Sequence, residues 1–260
     1  MKTYKYILLL LIIIITQRGM AQIHTEAIEY KDGDYVLEGY IAYDESIAGE
    51  RPGIIVVHDW MGVGEYTKMR CEMLAKLGYF AFAADIYGKG IRPANGEEAG
   101  KLAGKYKGDR KLYRSRVNAA LEEMRKNNKV NKSNIAAIGY CFGGTGVLEL
   151  GRSGADIKGI ISFHGGLDTP TPEDAKNIKA KVLICHGGAD PFVPAEQVKA
   201  FEDEMKNANI SYKIISYEGA VHSFTNPFSG NDASKGAAYN EKADKDSWED
   251  MKRFFSEIFN

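Results

Sequence analysis

The chain is poor in cysteine, in net charge and in long apolar runs, and each shortage excludes something. Three cysteines stand in 260 residues. An odd, sparse set does not make a disulfide scaffold at this length, and in an oxidising setting one thiol must stay free. Cys71 falls on an amphipathic stretch and Cys185 in an apolar one, and both read as small core residues. No C-x-x-C pair and no His/Cys cluster has metal-ligand spacing, so no metal is expected. The net charge is −1 with no basic block, which argues against nucleic acid as a partner. No internal repeat and no low-complexity segment stands out.

A single extended apolar run opens the chain, Ile7 to Ile15, behind Lys2 and Lys5. It is too short to span a bilayer as a mature helix. Gly19-Met20-Ala21 supplies small residues at the −3 and −1 positions of a cleavage site. Residues 1–21 therefore read as a cleaved secretory signal, with the product periplasmic or secreted and without a membrane span. Losing Lys2, Lys5 and Arg18 removes three positive charges and takes the net charge from −1 to −4.

The chain is 44% hydrophobic and 27% charged, which suits one α/β domain over residues 22–260, expected to act as a monomer. Glu26–Tyr30 and Tyr35–Tyr43 read as a hairpin around Lys31-Asp32-Gly33-Asp34. From Gly53 onward strands and helices alternate. Strands are expected at Gly53–His58, Tyr79–Ile86, Ile135–Ile138, Gly159–Phe163, Lys181–Cys185 and Tyr212–Tyr217. Helices are expected at Tyr66–Leu77, Glu97–Lys105, Lys111–Asn127 and Pro194–Asn207, with a last one carrying Trp248, Met251, Phe255 and Ile258 on one face. The pattern predicts a mainly parallel sheet covered on both faces, with an antiparallel N-terminal edge. Active groups in such sheets gather at the carboxyl ends of strands.

At one of those ends the chain reads Gly139-Tyr140-Cys141-Phe142-Gly143-Gly144. This is the G-x-S-x-G nucleophile elbow with cysteine in place of serine. The turn is strained and so tight that a Cβ at either flanking glycine would collide. The following helix N-terminus favours a thiolate at Cys141. Two later strand ends carry Asp190 and His222, in the order nucleophile, acid, base. Asp190 would orient the His222 imidazole, and His222 would move the proton. Each alone has a plainer role, Asp190 as a turn or cap residue and His222 as a hydrogen-bonded loop histidine. Their coincidence at three strand ends favours the triad. The oxyanion hole would use the backbone N–H of Phe142 and of Trp60. Asp59, beside Trp60, puts a carboxylate near the expected thiol, as a modulator of it or as a cap.

These pieces, with Ala84-Asp85-Ile86-Tyr87-Gly88 and His222-Ser223-Phe224, resemble the dienelactone hydrolase family of α/β-hydrolases. The resemblance implies an α/β-hydrolase fold and a Cys141–His222–Asp190 triad. It also implies cofactor-free hydrolysis of a small ester or enol-lactone. Asp59 stands where the family carries a glutamate that interacts with the thiol. Lys89, with Arg92 close by, stands where the family has a substrate-clamping arginine, so Lys89, Arg92 and Tyr87 are the candidate substrate contacts. Thr225 and Asn226 replace a second arginine. Alternatives on the same scaffold are a general carboxylesterase, a thioesterase or an acyl-sugar esterase. From another class come a non-catalytic exported binding protein and a redox-sensing thiol.

Overall fold

The computed structural model describes residues 22–260; the expected signal, residues 1–21, lies outside them. Eight strands form one sheet: β1 (Ile23–Asp32), β2 (Tyr35–Asp44), β3 (Arg51–Val57), β4 (Phe80–Ala84), β5 (Val130–Tyr140), β6 (Gly159–Phe163), β7 (Lys181–Gly187) and β8 (Tyr212–Tyr217). Their order is β1-β2-β4-β3-β5-β6-β7-β8. β1 and β2 are antiparallel, β2 is antiparallel to β4, and every later pair is parallel. The sheet is thus mainly parallel with an antiparallel N-terminal edge, as the alternation of segments predicts. The hairpin loop is Gly33-Asp34, with Gly33 at φ +60°. A positive φ at the first central residue is what a two-residue hairpin asks of glycine.

Among the described residues six α-helices cover the sheet: α1 (Glu65–Lys76), α2 (Gly96–Gly108), α3 (Arg110–Arg125), α4 (Phe142–Arg152), α5 (Ala195–Asn207) and α6 (Glu241–Phe259). Strand residues alternate between the two faces. Ile55 and Val57 of β3 pack with residues of α2 to α5, whereas Ile54 and Val56 pack with α1 and α6. This period of two is why the inner strands read as continuous apolar runs: both faces are buried. Cys71 and Cys185 are both fully buried in the second of these layers, and all three thiols are free.

Strand β5 begins earlier than its apolar core suggests. Pro52 pairs with Asn131, but Gly53 pairs with Ile135, so 132–134 bulge out of register. The bulge is Lys132-Ser133-Asn134, polar residues that carry no strand signal. No helix among the described residues is long and apolar enough to cross a membrane.

Candidate active site

Cys141 sits between β5 and α4 at φ 54° and ψ −112°, a conformation that an L residue adopts under constraint. The constraint is close packing. A Cβ on Gly139 would overlap the Gly143 carbonyl, and one on Gly143 would overlap the carbonyls of Val57 and His58. The elbow therefore exists because two side chains are missing, and it lifts the sulfur above the N-terminus of α4.

His222 Nε2 lies 2.9 Å from Cys141 Sγ, and His222 Nδ1 lies 2.8 Å from Asp190 Oδ2. The other Asp190 oxygen accepts the Phe192 N–H at 2.8 Å, so the carboxylate cannot swing. The loops bearing acid and base are sewn together, Gly188 N–H to the Tyr217 carbonyl at 2.8 Å and Ala189 N–H to the Ala220 carbonyl at 2.9 Å. His222 is also held through its own backbone. Its N–H donates to the Gly236 carbonyl at 3.1 Å, and its carbonyl accepts the Ala238 N–H at 3.0 Å. Burial pulls the imidazole pKa down, but the Cys141 sulfur and the Asp190 carboxylate outweigh it and hold it at about 10.

Behind His222 lies a second, buried histidine. His164, at φ +40°, turns its ring edge-on to His222 with centroids 5.3 Å apart. Its Nε2 is 2.7 Å from Thr225 Oγ1, which also meets the Tyr66 hydroxyl at 2.6 Å. Arg70, buried in α1, reaches the Thr225 carbonyl and the Asp244 carboxylate of α6. The loop after His222 is thereby tied to two helices.

The loop after β3 supplies the opposite wall. The His58 ring accepts the Ile86 N–H on Nε2 at 3.3 Å and donates from Nδ1 to the Asp59 carbonyl. Burial pushes the pKa of this imidazole down to about 4, so it is a neutral strut. Asp59 accepts the Met61 N–H at 2.9 Å and faces the Asn226 amide at 3.4 Å. Burial raises its carboxyl pKa against the pull of those two hydrogen bonds and of His222. Among the described residues, neither the Trp60 nor the Phe142 N–H has an acceptor in the protein. Two such free donors, one on the residue after Cys141 and one in the facing loop, could receive an anionic oxygen.

Two cavities open beside the sulfur. The larger, about 820 Å³, is lined by Asp59, Trp60, Met61, Phe192, Asn226 and Phe228 together with Cys141 and His222. The smaller, about 190 Å³, lies between Cys141, Phe142, Ala103, Lys107 and Val193. Among the described residues no group of three or more His, Cys, Asp or Glu side chains could hold a metal ion.

A model of the dienelactone hydrolase family matches residues 37–259. The chain belongs to the dienelactone hydrolase family. It is a hydrolase of ester or lactone bonds on the α/β-hydrolase fold. A dienelactone hydrolase-like promiscuous phosphotriesterase from metagenomic libraries is 36% identical, with a TM-score of 0.86 over 92% of this chain and 99% of that one. A Synechocystis protein named as a carboxymethylenebutenolidase is 26% identical over 90% of this chain and 96% of its own. The dienelactone hydrolase of Anabaena variabilis, 20% identical, shares the fold with a TM-score of 0.63 over 79% of this chain and 91% of its own.

Three residues expected to touch substrate, Lys89, Arg92 and Tyr87, do not line either cavity. Lys89 pairs with Glu29 on the edge strand β1. Arg92 donates to the Ile91 carbonyl at 2.7 Å and lies 3.6 Å from the buried Asp85 carboxylate. Tyr87 is buried, and its hydroxyl donates to the Trp60 carbonyl at 2.9 Å, under the loop after β3. The loop after β4 turns away because Asp85 Oδ1 accepts the N–H groups of Tyr87 and Gly88 at 3.1 and 3.2 Å. Phe192 and Lys107 were not foreseen at the site; they sit in a loop and on a polar helix face, where no periodic signal marks them. Arg70 was hidden for another reason, since an arginine in an amphipathic helix reads as exposed.

Proposed function

We propose that the protein cleaves an ester or enol-lactone by two-step acyl transfer. Cys141 thiolate attacks the carbonyl carbon, forming the C–S bond, and the carbonyl oxygen becomes an oxyanion held by the N–H groups of Phe142 and Trp60. Collapse breaks the C–O bond, and His222 gives its proton to the departing alkoxide or enolate. His222 then takes a proton from water as the water attacks the thioester, and Cys141 thiolate leaves as the acid product forms. Asp190 keeps the imidazole in the required tautomer. The observation that carries the reading is the unbroken line from Asp190 through His222 to a sulfur 2.9 Å away. Thiolate is a good leaving group, so activated acyl groups are favoured over amides.

The same reading takes residues 22–260 as one catalytic unit, working as a monomer without cofactor or nucleic acid. It takes the opening segment as an export signal cleaved near Ala21. The basic n-region, the apolar run and the small residues before Gln22 support this.

The test is mass spectrometry of the intact protein during turnover of a 4-nitrophenyl ester. One acyl group should appear on Cys141 and vanish as the product forms. Cys141→Ala should lose at least about 1000-fold in kcat while keeping the circular dichroism spectrum of the parent. Full activity in that variant ends the proposal.

A further inference from the structure

Nine large hydrophobic side chains stand exposed among the described residues, and four of them rim one cavity. They are Trp60 (42% exposed), Met61 (36%), Phe192 (58%) and Phe228 (57%), around the space that also holds Cys141 and His222. Single exposed hydrophobics are ordinary, whereas a contiguous set around a cavity marks a ligand surface. The volume, about 820 Å³, is that of a site for a drug-sized molecule.

The rim is anchored. The Phe192 ring stands edge-on to His222 with centroids 5.4 Å apart. It packs on Gly236, where a Cβ would come within 2.7 Å of Pro191. Phe228 lies in the short turn Pro227–Ser229, its N–H on Asn226 Oδ1 at 2.9 Å, and Asn226 in turn faces Asp59. The site offers an anion no unpaired cation: His222 is taken by Asp190 and the Cys141 sulfur, and Lys107, in the smaller cavity, lies 3.9 Å from Asp168. The lining carries the Asp59 carboxyl, and its one ammonium, on Lys235, is exposed and sits 3.7 Å from Asp232. Lys89 and Arg92, turned elsewhere, bring no charge to this space. The second cavity, which shares Cys141, His222, Trp60 and Phe192 with the first, leaves about 190 Å³, room for a small group only.

We propose that the substrate is a neutral ester with one bulky aromatic half, held in the larger cavity against Trp60, Phe192 and Phe228, and one small half in the smaller cavity. The proposal rests on hydrolysis through Cys141 for its chemistry, but the binding surface is testable without it. Four phenolic esters of similar leaving-group strength make the comparison: phenyl acetate, 4-biphenylyl acetate, phenyl 4-phenylbutanoate and monophenyl glutarate. At least one of the two bulky neutral esters should exceed phenyl acetate and monophenyl glutarate about tenfold in kcat/KM. Phe228→Ala should narrow that gap to about twofold. Equal rates for bulky and small esters, or a preference for the glutarate, would overturn the inference and leave the hydrolase intact.

Binding of 4-phenylbutan-2-one and of butan-2-one, followed by calorimetry, provides the arm that needs no turnover. The phenyl ketone should bind about tenfold more tightly, and Phe228→Ala should erase the difference. That result with no ester turned over refutes the Cys141 chemistry and keeps the binding surface. Equal affinity of the two ketones refutes the surface.

Discussion

His164 lies edge-on to His222, with ring centroids 5.3 Å apart, and the two imidazoles are driven in opposite directions. Burial, with the His222 and Arg70 charges adding to it, holds His164 well below the usual histidine range. His222 goes up to about 10 because the sulfur and Asp190 overcome its burial. One proton-carrying ring thus rests on a neutral one.

The sign of the His222 shift gives the first prediction. A raised pKa means that the ring stays protonated as pH climbs past the ordinary value and loses its proton near about 10. Nitrogen-detected NMR should show one imidazolium persisting above pH 9. In Cys141→Ala the charge opposite is gone, and this titration should move down towards the ordinary histidine value. An unmoved titration would show that Asp190 alone sets it.

Asp59 and Cys141 line the same cavity, so their charges oppose each other. Asp59→Asn removes a negative group beside the thiolate and should speed alkylation of Cys141 by iodoacetamide about three- to tenfold at pH 7. The burial that raises the Asp59 pKa also places its titration above the usual carboxylate range. Wild-type alkylation should therefore show an inflection there that the Asn variant lacks. Slower alkylation in the variant would assign Asp59 the opposite role.

Tyr87 donates to the Trp60 carbonyl, one atom group away from the proposed oxyanion donor. Tyr87→Phe keeps the ring packing and deletes the hydrogen bond. It should cost about 1 kcal/mol in stability. It should also lower kcat several-fold while leaving KM within twofold, because a loosened donor is felt mainly in the transition state. A change in KM alone would refute this positioning role.

The glycines divide into two classes. Gly143→Ala drives a methyl into the Val57 and His58 carbonyls and should cost about 3 kcal/mol and abolish turnover. Gly100→Ala, on the exposed face of α2 with nothing within 4 Å, should gain about 1 kcal/mol. Thermal denaturation of the pair, in opposite directions, checks both.

The strands were legible wherever an apolar run is closed by turn residues, and β6 and β8 have the bounds their sequences suggest. The start of β5 was not, because its bulge is polar. The elbow could be read since its glycines answer a steric demand within five residues. Asp190 and His222 followed from position at strand ends. The direction of the loop after β4 is set by Asp85, whose carboxylate bonds to nearby backbone, and that long-range placement has no local code. Buried ion pairs were equally hidden. Arg152, fully buried, is held by Glu149 and Glu204 from two helices, and nothing in its neighbours along the chain announces this.

The wall between His222 and Asn240 leaves and returns at one place. Gly236 and Ala238 bracket His222, and the Asn240 N–H meets the Phe224 carbonyl at 3.0 Å. The stretch from 226 to 235 is therefore a closed excursion with a fixed base. Lengthening such an excursion adds little closure entropy. Changes within this one stretch can then reshape the cavity wall while Cys141, His222 and Asp190 keep the same foundation.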